Sequence, residues 1–173
     1  MTTKPQILLA RAGIVFGLGL GGLFDGIVLH QILGWHHMIC TTETCQPNSI
    51  GDLQRQITQD GFFDFTVWIL TIIGVILLFR AARQQAQPWS GKIFFGAILA
   101  GWGAFNFLEG LIDHQILGVH HVLPGHQNQF LFDMLFLASG LLLAVVGWSM
   151  MRSGSSHGTA TAGQFEIVVS EQR

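Results

Sequence analysis

Two blocks concentrate the residues able to do chemistry. Residues 25–37 read DGIVLHQILGWHH, and residues 109–121 read EGLIDHQILGVHH. At a constant offset of 84, Asp25 answers Glu109, and His30, His36 and His37 answer His114, His120 and His121. Gln31 and Gly34 likewise return as Gln115 and Gly118. Imidazoles beside carboxylates make a ligand set for Cu, Fe or Zn, and buried acids beside histidines also serve as proton relays. One histidine in an apolar stretch is more often a hydrogen-bond partner than a ligand. Its duplication beside a duplicated acid points to a functional site.

The charge pattern sharpens that reading. Asp25, Asp64, Glu109, Asp113 and Asp133 all fall in or at the ends of apolar runs, with no Lys or Arg in the same portions. A bare charge at the centre of a bilayer costs about 2.5–3.5 kcal/mol even on a lenient scale. These carboxylates must therefore be protonated or neutralised by a cation. The metal candidates are His30, His114, Asp64, Asp133, Asp25 and Glu109, followed by His36, His37, His120 and His121 nearer the outer ends. Gln31, Gln115, Asn106 and Asp113 are candidate hydrogen-bond partners of those ligands. Cys40 and Cys45 are expected to form a disulfide in an oxidising compartment, with a thiolate metal pair as the alternative. No Ser or Cys accompanies the histidine layers as a nucleophile, and no phosphate-cradling glycine loop or zinc-finger spacing is present.

The surrounding sequence belongs to a membrane. Half of the 173 residues are hydrophobic and 10% are charged; mean hydropathy is +0.49. Soluble chains carry roughly 25% charge. A net charge of −2 argues against a nucleic-acid partner. Four apolar runs, about 7–33, 62–82, 93–119 and 130–151, are long enough to cross the hydrocarbon as helices. Together they make a four-helix transmembrane domain over 1–152. The Gly-, Ser- and Thr-rich remainder, 153–173, suggests a flexible cytoplasmic tail. Lys4, Arg11, Arg80, Arg83, Lys92 and Arg152 gather at one side of the helices, which predicts cytoplasmic termini and outer loops at 34–61 and 120–129.

The duplication extends into fold. Gly61-Phe62-Phe63-Asp64 resembles Phe130-Leu131-Phe132-Asp133, so each half reads as a helix, an outer loop and a returning helix opened by an aspartate. The expectation is an all-α, four-transmembrane-helix bundle built from a tandem two-helix repeat, with a pseudo-twofold axis along the membrane normal. With a rise of 1.5 Å per residue, His30 and His114 lie about 6 Å inside Gly34 and Gly118, and Asp25 and Glu109 about 13 Å inside. Asp64 and Asp133 come near the histidine level, and small-residue stripes such as Gly13, Gly17 and Gly21 permit close helix approach.

The two blocks resemble a bacterial multi-pass membrane protein family, domain of unknown function 2243 (DUF2243). Its members carry D-G-I-V-L-H-Q-I-L-x-W-H-H, matched by Asp25–His37. They also carry F-N-x-x-E-G-x-x-D-H-x-x-L-G-x-H-H, matched from Phe105-Asn106 to His121. The resemblance covers about residues 10–150 and implies a small multi-pass protein of the bacterial inner membrane, its role largely unassigned. Where members often read D-G-L-F-H, this chain has Asp60-Gly61-Phe62-Phe63-Asp64, a carboxylate in place of imidazole.

The reading that absorbs most features is a His/carboxylate transition-metal site near the outer face, serving redox or metal-handling chemistry. A proton or metal-ion transporter is the first alternative. A haem protein with His30 and His114 as axial ligands is the second. The bilayer is the expected partner, with a homo-oligomer or a membrane redox protein as further candidates.

Overall fold

The computed structural model describes residues 4–40, 45–84 and 89–171, with side chains described as far as Ser155. The described residues are helices and connecting loops without strands. Helix α1 (Lys4–Phe24) continues without a break as a π-helical segment, π1 (Asp25–Ile32). Helix α3 (Gly91–Glu109) continues likewise as π2 (Gly110–Ile116). Helices α2 (Ile50–Arg83) and α4 (Gln129–Glu171) return through the bundle. Four helical spans, Lys4–Ile32, Ile50–Arg83, Gly91–Ile116 and Gln129–Ser155, are long and apolar enough to cross a membrane.

The lateral order is α2, α1, α3, α4, with α1 and α3 forming the central pair. That pair closes to backbone contact. A side chain at Gly17 would collide with the Ile98 carbonyl, and one at Gly101 with the Ile14 carbonyl. Glycine is required at both places, and each residue of the second contact lies 84 positions from its counterpart in the first. The flanking helices leave large apolar side chains exposed, including Phe62, Phe65, Trp68, Phe79, Phe130, Leu142 and Trp148. An apolar surface of that extent marks a face covered by lipid or by another protein.

Helix ends follow local sequence. The Ser49 hydroxyl caps α2 by accepting the Asp52 N–H at 3.1 Å, a cap of the Ser-x-x-acid kind. This cap starts α2 twelve residues before the apolar run predicted from 62, because residues 50–61 are helical yet polar. Ser90 caps α3 in the same way through the Ile93 N–H. At the other ends, Gly34 and Gly118 both take φ +58°, a left-handed conformation that stops the helix where a side chain would be strained. Helix α4 runs on as backbone helix to Glu171, through the segment whose composition suggests a flexible tail. A helix already nucleated adds residues at little cost.

The π-helical turns change the depth layering expected from α-helical rise. Bonding from i to i+5 stacks residues five apart, and Asp25/His30 and Glu109/His114 are such pairs. In an α-helix they would point about 140° apart. Here His30 Nε2 lies 3.1 Å from Asp25 Oδ2, and His114 Nε2 lies 2.9 Å from Glu109 Oε1. The separate acid and histidine layers merge into one.

Candidate metal centre

The candidate centre lies between π1 and π2, bridged by His36 and His120 from the loops that follow them. Asp25, His30, His36, Glu109, His114 and His120 are all at most 8% exposed. His36 and His120, placed by the sequence at the interface, are instead folded back into the interior. Their rings stack at 4.7 Å, and each lies edge-on to the histidine of its own block, His30 at 4.6 Å and His114 at 4.8 Å.

Three of the four imidazoles hydrogen-bond an oxygen acceptor on their outer side, through Nδ1. The His30 Nδ1–H donates to Asp60 Oδ1 at 3.1 Å; His114 Nδ1 faces Asp133 Oδ1 at 3.5 Å. His36 donates to the Val122 carbonyl at 2.9 Å and His120 to the Met38 carbonyl at 3.0 Å. These contacts fix the tautomer of His30, His36 and His120, and all four Nε2 atoms face inward, toward Asp25 and Glu109. An acceptor behind the ring is the usual arrangement for a metal-ligating histidine.

A shortage of protons follows. A neutral imidazole has one N–H. His30 lies between Asp60 and Asp25, His114 between Asp133 and Glu109, and His120 between Met38 and Glu109, whose Oε1 is 2.9 Å from its Nε2. His30 and His120 each need a second proton or a cation beside Nε2. Burial, with His120 and His30 adjacent, holds His36 down to about 2, so its Nε2 keeps a free lone pair near neutral pH. The Nε2 atoms of His30 and His36, both ring nitrogens of His114, Asp25 Oδ1 and Glu109 Oε2 are buried without a hydrogen-bond partner among the described residues. Two overlapping trios, Asp25–His30–His36 and His36–His114–His120, bring ligand atoms within 4.8 Å of one another and could each hold a metal ion.

Asp60 and Asp133 tie the loops that follow π1 and π2 to the centre. Asp60 accepts the Met38 N–H at 2.8 Å and the His37 Nδ1–H at 2.6 Å. Asp133 accepts the Val122 N–H at 2.9 Å and the His121 Nδ1–H at 2.7 Å. His37 and His121 are thus orienting residues at the rim, half-open to solvent, and lie outside both ligand trios.

These contacts correct the pairing of Asp64 with Asp133. The partner of Asp133 is Asp60, one helical turn before Asp64 and 3% exposed. Phe63 and Phe136, each three residues further on, pack on His30 and His114 at 5.6 and 5.4 Å. Asp64 accepts instead from the Gln31 amide, while Gln115 reaches Asp133 at 3.5 Å. Among the described residues, Asn106 and Asp113 make no side-chain hydrogen bond to the cluster; Asn106 is buried one turn inward of Glu109. Cys40 and Cys45 are joined as a disulfide.

A family model described as a predicted membrane protein (DUF2243) matches residues 12–154, most of the chain. The chain belongs to that family. No curated protein and no solved structure matches it. In this DUF2243 protein the histidines and acids sit at one end of a bundle placed in a lipid bilayer by its four apolar spans. Sequence reasoning missed Asp60. One signal marked it: the D-x-x-F spacing shared by Asp60–Phe63 and Asp133–Phe136.

Proposed function

We propose that this protein binds a transition-metal centre through His30, His36, His114, His120, Asp25 and Glu109, and uses it for redox or metal-handling chemistry at the outer face of the bacterial inner membrane. One observation carries the reading. Four buried imidazoles, three of them committed to acceptors through their outer nitrogens, present inward nitrogens to two carboxylates, where protons are too few and, among the described residues, no Lys or Arg is near. A cation answers both deficits, and imidazole with carboxylate suits Cu, Fe or Zn. The matched contacts at offset 84 support a tandem repeat whose axis passes between His36 and His120.

The alternatives fit less well. Rings packed at 4.6–4.8 Å leave no slot for a porphyrin plane between His30 and His114. For transport, a polar path would have to continue inward. Among the described residues, the charged side chains on the inner side of Asp25 and Glu109 are Lys4, Arg11, Arg80, Arg83, Lys92 and Arg152, all basic and near the far end.

Elemental analysis of gently purified protein tests the proposal. Stoichiometric metal is expected in the wild type and its loss in the His30→Ala/His114→Ala variant. Less than about 0.3 ion per chain in the wild type overturns it, since a closed ligand set of this kind holds its ion through mild purification.

A further inference from the structure

The end of the bundle away from the histidines carries a different feature. A cavity of about 520 Å³ opens between the first turns of α1 and the later part of α4. Ile7, Ile14, Ile93 and Trp148 give it apolar walls, and the side chains of Arg11 and Arg152 also line it. The Arg152 guanidinium sits 5.5 Å from the centre of the Trp148 ring. Neither arginine has a carboxylate partner among the described residues, where the Lys or Arg ion pair seen is Arg55 with Asp52 at the opposite end.

We propose that this cavity binds one anionic phospholipid, its acyl chain along the apolar wall and its phosphodiester between Arg11 and Arg152. Planar guanidinium groups match phosphate oxygens in paired hydrogen bonds, and basic pockets between helices at a membrane surface recognise acidic headgroups. Trp148 lies in the last turns of the apolar span Gln129–Ser155, the part of a helix where indole rings commonly anchor at the interface. A zwitterionic lipid brings its own cation to a site that already holds two. A second copy of the chain related by a twofold axis would oppose arginine to arginine. Arg80 and Arg83 share the positive charge of this end but line no part of the cavity, so they separate a built site from general attraction.

The full-length protein is reconstituted with equal phosphatidylglycerol and phosphatidylcholine and released intact into a mass spectrometer. One retained phosphatidylglycerol per chain is expected, favoured about tenfold over phosphatidylcholine. Arg11→Gln/Arg152→Gln should abolish the preference, and Arg80→Gln/Arg83→Gln should keep it. No preference in the wild type, wild-type retention in the first variant, or equal loss in both variants overturns the proposal. A second measurement does not depend on the arginine variants folding. Brominated phosphatidylglycerol should quench Trp148 fluorescence, isolated by difference from Trp148→Phe, more strongly than brominated phosphatidylcholine. Equal quenching also overturns the proposal.

Discussion

The rings of His36 and His120 stack face to face, centroids 4.7 Å apart and planes within 10°. Each is held from the other half of the chain: His36 by the carbonyl of Val122, His120 by that of Met38. Neither block can complete its cluster alone. His36→Ala and His120→Ala should therefore each lower metal affinity at least about tenfold, while the double variant falls short of the product of the two losses, as contacting residues do. Competition with a chelator measures all three. Additive losses would show two independent sites.

Asp60 and Asp64 stand one turn apart on α2 but do different work. Asp60 accepts three hydrogen bonds from His30, His37 and the Met38 N–H, whereas Asp64 accepts from Gln31. Removing an oriented acceptor behind a ligand costs about 10–100-fold in metal affinity. Asp60→Asn and Asp133→Asn should show that loss, and Asp64→Asn little. The reverse ranking would restore Asp64 to the centre.

Spans, helical class and the burial of His30 and His114 were legible because apolar run length and a strict 84-residue offset can be read directly from the chain. The level of each group was not. α-Helical arithmetic separated Asp25 from His30 by a layer, and the π-helical turn that brings them to 3.1 Å leaves no mark in hydropathy. His36 was placed at the interface because it follows the helix stop at Gly34, but the chain turns back there. Asp60 was missed because residues 50–61 are polar enough to read as loop, so the helix that carries it was started too late.

The α1–α3 crossing offers a test of packing free of the site. At Gly17 and Gly101 a Cβ would overlap backbone atoms of Ile98 and Ile14, which cannot swing aside as a flexible side chain does. Gly17→Val and Gly101→Val should each force the pair apart and destabilise the bundle by about 1–3 kcal/mol or more, as overpacking does. Thermal unfolding in detergent should fall similarly for both. A wild-type melting temperature in either would contradict the contact.

Acid should weaken the metal-free fold through His36. Its folded value is pushed down to about 2 against an ordinary 6.5. The unfolded chain therefore takes up a proton below about 6.5 that the fold refuses. Stability from this group is complete above that pH and declines by about 1.4 kcal/mol per unit as pH falls. Unfolding of chelator-treated protein between pH 7 and 5 should show a steeper loss for wild type than for His36→Gln. Parallel curves would mean that His36 is not buried as a neutral ring.

The disulfide acts on the centre through three residues of backbone. Cys40 is fully buried, its N–H donates to the Val119 carbonyl at 3.0 Å, and its sulfur accepts the His37 N–H at 3.3 Å. Between Cys40 and His37 lies Met38, whose carbonyl holds His120 and whose N–H is bound to Asp60. Closing a loop of five-residue separation restricts the unfolded chain by about 2 kcal/mol. It also keeps the Met38 carbonyl aimed at His120. Cys40→Ser/Cys45→Ser should thus lower the melting temperature and release metal several-fold faster, with the bound stoichiometry retained, and a reductant should reproduce the effect on wild type. Metal release unchanged by reduction would show that the Met38 loop is held by Asp60 and Val119 alone.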